Sequence, residues 1–190
     1  MPELDHARRD RVLAAFVACF ARYGYRRTSM DTLARTVDMS RPALYQYFRN
    51  KDEVFRAAVE WTLNRAAEHA ELQAHSTTPI EKRLQSVLDA VLDLYAGSPR
   101  TGEHFHELLG EVYSRTPDLW TAYEVRVLAA LQAVLDSGTT GQTLVPTEDV
   151  AVVLLYGAKG IGIEARSAQT RAKHVHQLAA LVLHGLHAGS

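Results

Sequence analysis

A single cysteine, Cys19, leaves this chain without an intrachain disulfide or a cysteine-based zinc site. Between Ala18 and Phe20 on a predicted helix, it reads as a small packing residue. Long apolar runs are also missing. Val150–Tyr156, for example, falls far short of the ~20 residues that cross a bilayer. The polar, charged start shows no signal peptide, so the expected location is cytoplasmic, with no membrane partner. No convincing strand and no internal repeat is visible. There is no HExxH sequence, no phosphate-binding glycine loop and no nucleophile beside a base, so an enzyme is not expected and no cofactor is called for. A net charge of -1 excludes a wholly basic nucleic-acid coat.

What is there is an ordinary globular composition: 190 residues, 47% hydrophobic and 23% charged. The charge is uneven. Residues 1–51 hold ten Arg or Lys against five Asp or Glu, a net of +5, and the remainder is net negative. A basic end on an acidic body suits a DNA-binding head joined to a different kind of domain.

The organising stretch is Thr28–Phe55, TSMDTLARTVDMSRPALYQYFRNKDEVF. Thr28 or Ser29 caps a first short helix, whose buried face is Met30, Leu33, Ala34 and Val37. Asp38 and Met39 form a turn. Ser40 caps a second helix, with Pro42 in its first turn, where a missing N–H costs nothing. Leu44 and Phe48 point inward, leaving Arg41, Ala43, Gln46 and Tyr47 outward. Asn50 and Glu53 form a capping box for a long third helix. Two short helices over a brief turn make a helix-turn-helix, whose second helix can enter a major groove.

This stretch resembles the DNA-binding segment of the TetR family of bacterial transcriptional regulators. Thr28, Leu33, Ala34, Ser40, Leu44, Tyr45, Tyr47, Phe48 and Lys51 carry the match, which runs from about Ala7 to Phe55. One departure is Asp38, where the family often has Gly; Asp tolerates a left-handed backbone better than most residues. The residues assigned to DNA are Thr28, Ser29, Arg41, Pro42, Ala43, Tyr45, Gln46, Tyr47 and Lys51. Arg41 suits guanine, Gln46 adenine, and Pro42 or Ala43 a thymine methyl. Tyr45, Tyr47, Lys51 and the Thr28–Ser29 helix start suit phosphates.

The rest of the chain reads as helices. Residues 7–23 form one, with Leu13, Phe16, Val17 and Phe20 inward and Gly24 as its C-terminal cap. A long helix runs from Asn50 to about Ala74 and links head to body. Thr78-Pro79-Ile80-Glu81 opens another, ending near Gly97-Ser98-Pro99. Further helices cover roughly Gly102–Ser114, Thr116 to just before Ser137, about 147–166 and about 170–187. The predicted fold is all-α, with a three-helix DNA-binding head carrying the helix-turn-helix and a six-helix ligand-binding and dimerisation domain. The boundary is placed between 1–51 and 52–190.

The helix over 147–166 is apolar over much of its circumference, and Gly157 and Gly160 allow another helix to approach closely. The resemblance implies that it and the 170–187 helix pair with their copies in a homodimer. It also implies a small-molecule effector that releases the protein, acting as a repressor, from an inverted-repeat DNA operator. Trp61, Tyr95, Phe105, Tyr113, Trp120, Tyr123 and Tyr156 form the candidate ligand set, with His104, Glu107 and Glu111 as polar anchors. His104, Glu107 and Glu111, or His184 and His187, share helical faces, but no metal site is assigned. The competing readings are an all-α enzyme and a helical protein-interaction adaptor; the polar outer face Arg41–Tyr47 speaks against the adaptor.

Overall fold

The computed structural model describes residues 6–95, 105–138, 145–164 and 167–187. Among them are nine α-helices and no strand: α1 (His6–Tyr23), α2 (Met30–Thr36), α3 (Arg41–Tyr47), α4 (Lys51–Ala74), α5 (Ile80–Tyr95), α6 (Phe105–Arg115), α7 (Pro117–Gly138), α8 (Thr147–Glu164) and α9 (Ala168–His187). The stop at 97–99, the start at 102–104 and residue 166 lie outside the described residues. Packing divides the chain into Met1–Asn64 with Gly97–Thr121, and Arg65–Ala96 with Ala122–Ser190.

In the first unit, Leu13, Phe16 and Phe20 of α1 are fully buried with Leu33, Leu44 and Phe55. Phe16 meets Phe48 edge-on at 6.0 Å, and Phe20 meets Phe55 edge-on at 5.1 Å, an arrangement that sets a ring's positive edge against its neighbour's negative face. Gly24 takes a left-handed φ of 76° and donates to the Phe20 carbonyl, closing α1. Cys19 is buried in this core, as its neighbours suggested.

The turn between α2 and α3 is a Schellman motif. Met39 N–H donates to Ala34 O at 2.9 Å and Asp38 N–H to Arg35 O at 3.3 Å, with Asp38 at φ 53°. Asp thus fills the left-handed position that a glycine would otherwise take. Ser29 caps α2 by accepting from Thr32 N–H, and Ser40 caps α3 by accepting from Ala43 N–H. At the start of α4, Asn50 accepts from Glu53 N–H at 2.9 Å. The Glu53 carboxylate reaches back to Arg49 N–H at 2.8 Å, one residue further than a standard capping box.

In the second unit, α5 packs on α8 and α9, which also pack on each other. Leu84, Val87, Leu88 and Val91 meet an interior that includes Leu154, Leu155, Ala158 and Val175. Gly157 is where α9 comes close: a Cβ there would lie 2.8 Å from Leu178 Cδ2. A Cβ at Gly160 would meet open space, so the two glycines divide the role expected of both. Arg126 grips Glu71 through two bonds of 2.7 Å.

Several helix ends differ from expectation. α5 opens at Ile80, within the Thr78–Glu81 stretch: the Thr78 hydroxyl pairs with Ser76, and the Pro79 carbonyl receives Lys82 and Arg83 N–H. α7 continues through Gly138, because Ser137 Oγ donates to Val134 O and accepts from Arg83. α9 opens at Ala168, with Ser167 accepting from Thr170 N–H.

The left-handed turn residue gives a stability test. Asp38→Val places a β-branched side chain at positive φ and should destabilise by about 1–2 kcal/mol. Asp38→Gly should stay within about 1 kcal/mol of the parent. Urea unfolding of the two variants reads the difference.

Candidate nucleic-acid interface

α3 has one buried face and one open one. Leu44 is fully buried, Phe48 just beyond the helix is buried, and Arg41, Pro42, Tyr45 and Gln46 are exposed. Ala43 and Tyr47 are half-buried on its shoulders. Six of the nine candidate DNA residues therefore share this helix. The guanidinium of Arg41 lies 5.5 Å over the Tyr45 ring, and its Nη1 is 3.3 Å from Asp31 Oδ1 and 3.4 Å from Oδ2. Both partners are more than half exposed. A cleft of about 430 Å³ beside them is lined by Asp31, Ala34, Arg35, Met39, Ser40 and Arg41.

The other three candidates are placed differently. Ser29 is exposed and caps α2. Thr28 is 2% exposed and its hydroxyl donates to Gly24 O at 2.7 Å, so its side chain faces the core and Ser29 alone is the cap. Lys51 is half-buried. Its Nζ donates to Tyr25 O at 2.9 Å and sits 4.2 Å over the Tyr25 ring. Burial pushes its pKa down from the ordinary lysine value.

Tyr25 is the centre of a cluster that the sequence did not signal. Its hydroxyl donates to Asp52 at 2.6 Å, and the Arg115 guanidinium lies 4.0 Å over its ring. Arg115 donates to Asp52 at 2.7 Å and to Glu111 at 2.6 Å, while Arg26 donates to Glu111 at 3.3 Å. Burial first, and the bond to Asp52 second, push Tyr25 up to about 12. The bond from Arg115 holds Glu111 below the usual carboxylate range. Glu111 is thus engaged by two arginines. No periodicity announces such a cluster, since its members come from the α1–α2 turn, α4 and α6.

The aromatic ligand candidates are spread across both units. Trp61 donates its indole N–H to Asp10 at 2.9 Å. Tyr113, 40% exposed, and Trp120, buried, have ring centroids 4.5 Å apart. Tyr123 is buried in the second unit, and Tyr156 is 57% exposed on α8 with Lys159 Nζ 4.9 Å from its ring. The side chains of Tyr95 and Phe105 lie outside the described residues, as does His104. A second cleft, of about 190 Å³, is lined by Asn50, Asp52, Glu53, Phe55, Arg56, Arg115 and Thr116, none of them from this set. Among the described residues no group of three potential ligands is placed to hold a metal ion, and no helix is long and apolar enough to cross a membrane.

The raised Tyr25 pKa has a measurable consequence. A folded pKa above the unfolded value of about 10 contributes stability that is complete below pH 10 and is lost as pH rises through about 12. Ultraviolet titration should show a late phenolate phase from Tyr25. Tyr25→Phe should remove that late phase and flatten the alkaline fall in stability.

The sequence model described as "Bacterial regulatory proteins, tetR family" matches residues 12–58, which include the whole helix-turn-helix. The HTH-type transcriptional regulator YhgD of Bacillus subtilis is 21% identical over 141 residues, 74% of each chain. An HTH-type transcriptional repressor of Mycobacterium tuberculosis is 38% identical over 71 residues, 35% of this chain and 38% of its own length. Among solved structures, a chain of Mesorhizobium loti assigned to the TetR family superposes with a TM-score of 0.67 at 22% identity, covering 96% of this chain and 98% of that one. Residues 12–58 thus carry the sequence pattern of the TetR family's DNA-binding helix-turn-helix, nearly the whole chain shares the fold of a solved TetR-family structure, and the relatives matched are transcriptional regulators rather than enzymes.

Proposed function

We propose that the protein binds an inverted-repeat operator as a homodimer, represses transcription there, and is released by a small-molecule effector. The observation that carries the DNA half of this reading is the exposed polar face of α3, with Arg41, Pro42, Tyr45 and Gln46 turned outward over the buried Leu44 and Phe48. A helix seated this way presents base-reading side chains without disturbing the core. Arg41 takes guanine, Gln46 adenine, and Pro42 or Ala43 a thymine methyl. Tyr45, Tyr47, Ser29 and Lys51 take the phosphates on either side, while the buried Thr28 supports that edge through its bond to Gly24 O.

The dimer half rests on α8 and α9. Val153, Tyr156 and Ile163 on α8 are 60%, 57% and 43% exposed, and Leu181 on α9 is 73% exposed. Gly160 lies open on the same length of α8. An apolar strip of this kind on two neighbouring helices suits a second copy, giving a four-helix bundle. Two heads one helical turn apart, about 34 Å, then require a palindromic operator. The name of the Mycobacterium relative supports repression. Release by an effector, with the domains divided as 1–51 and 52–190 and α4 carrying the shift, rests on the family's general behaviour. A hundredfold loss of operator affinity corresponds to about 2.7 kcal/mol of coupling, ordinary for linked sites.

The test is a random-pool DNA selection with the purified protein, repeated with candidate effectors present. A palindrome should be enriched. An effector that leaves the enriched DNA bound at every concentration is not the releasing ligand. Arg41→Ala should lower discrimination at one base pair of each half-site by roughly tenfold. Lys51→Ala should weaken binding to all sequences alike and make the salt slope shallower by about one. No enriched sequence at all would favour the adaptor reading.

The bundle gives a separate prediction. Val153→Glu places a charge on the apolar strip at an exposed site. Equilibrium sedimentation should show monomers for this variant at concentrations where the parent is dimeric. Helical content should not change, and operator affinity should fall with the loss of the second head.

A further inference from the structure

Asp31 belongs to α2, the helix that does not enter the groove, yet its carboxylate is the acid that meets Arg41. The contact engages the guanidinium through Nη1, 3.3 Å from one oxygen and 3.4 Å from the other. The guanidinium carbon also lies over the Tyr45 ring, 5.5 Å from its centroid. Asp31 is itself well fixed. It sits in the first turn of α2, where the Ser29 cap sets the backbone, and its carbonyl accepts from Arg35 Nε at 3.3 Å. Arg41 stands at the first position of α3, after the Ser40 cap. Two caps and the Asp38 turn therefore hold the relation between this acid and this base.

We infer that Asp31 is a positioning residue for base reading: it holds the Arg41 guanidinium in place at the leading end of α3, so that discrimination at one base pair depends on α2 as well as α3. The inference rests on the reading that α3 enters the major groove. A long arginine must give up rotamer freedom when it meets guanine O6 and N7, and a side chain already held on two sides gives up less. The Asp31 contact is made through Nη1 and does not use Nε and Nη2, the edge that forms the two-donor fork guanine requires. The same carboxylate adds a negative charge beside the DNA-facing surface, which opposes phosphate on any sequence. Asp31 thereby favours correct contacts and penalises generic ones.

An exposed pair of this kind adds little to folding stability, so the site can be changed without unfolding the head. The two effects also separate a positioning role from a structural one. A damaged head binds every DNA less well; loss of a positioning acid relaxes one base pair while generic binding tightens.

The experiment uses the full chain as wild type, Asp31→Ala, Arg41→Ala and the double variant, with thermal melts as folding controls. Random-pool selection identifies the preferred sequence. Affinities for it, for single-base variants and for unrelated duplex are then measured at two salt concentrations. The expected result is that Asp31→Ala loses roughly three- to fivefold discrimination at the base pair relaxed by Arg41→Ala. It should also bind unrelated duplex more tightly at low salt, and add nothing at that base pair in the Arg41→Ala background. Unchanged preference in Asp31→Ala, relaxation at a different base pair, or an effect that persists without Arg41 overturns the inference. Should Arg41→Ala alter no base preference, the groove reading of Arg41 fails, and the role of Asp31 fails with it.

Discussion

A seven-residue helix has no independent stability in water, because nucleating a helix is costly and so short a stretch forms few hydrogen bonds. α2 and α3 are both that short. Their persistence depends on the apolar floor made by Phe16, Leu33, Leu44, Phe48 and neighbouring rings. Burying Leu44 alone removes enough surface to stabilise by about 2 kcal/mol. The caps at Ser29 and Ser40 each add about 1 kcal/mol. Leu44 and Phe48 are four residues apart, so one face of α3 is committed to the core and the opposite face has to be solvated. That division requires Arg41, Tyr45 and Gln46 to look outward, and the functional reading follows from it.

The first unit also carries charges that are only partly solvated. Glu111 is 9% exposed and Tyr25 4% exposed, and both lie among Arg26, Arg115, Lys51 and Asp52. Burying charge carries a penalty that mutual attraction offsets only when the geometry is good and the bonds are complete. Here Glu111 uses both oxygens on arginines, and the Tyr25 ring receives two cations on its faces, each contact worth about 0.5–2 kcal/mol. The gain is better described as specificity than as bulk stability. These bonds join the α1–α2 turn, the start of α4 and α6 in one arrangement, and a shift of any of the three leaves a buried group without its partner.

Local signals were the most legible part of the sequence. Ser40, Pro42, Gly24 and the Leu44–Phe48 spacing are short-range features whose physics is complete within one turn of helix. Asp38 reads correctly for the same reason: the left-handed position needs only a residue that tolerates it. Features that depend on tertiary partners did not show. Thr28 and Ser29 are both good caps on paper, and the choice between them is made by the Gly24 carbonyl, which draws in the Thr28 hydroxyl. Gly157 and Gly160 look alike in sequence, and only Leu178 distinguishes them. An aromatic residue at helical spacing does not announce its partner: Trp61 meets Asp10, and Trp120 meets Tyr113. Asp31 and Arg41 are ten residues apart across a turn, a separation with no periodicity to announce it.

Basic residues in the first fifty-one positions outnumber acids two to one, yet the charge offered to DNA is smaller than that count. Arg26 is tied to Glu111, Arg41 to Asp31 and Arg49 to Glu53, and Lys51 to a backbone carbonyl. A tied cation reaches a phosphate only by exchanging partners, so the gain is the difference between two attractions. Salt screens both, which makes the dependence of affinity on salt gentler than a slope of about 0.9 per neutralised phosphate over all ten bases. The arrangement shifts weight from generic attraction toward geometry. A cation whose acid lies far from the duplex must leave it to bind, whereas Arg41 can keep Asp31 and present its remaining donors. On the proposed reading, ion pairs on this surface reduce non-specific affinity more than specific affinity, and that difference is what a DNA-binding regulator searching a genome of competing sites requires.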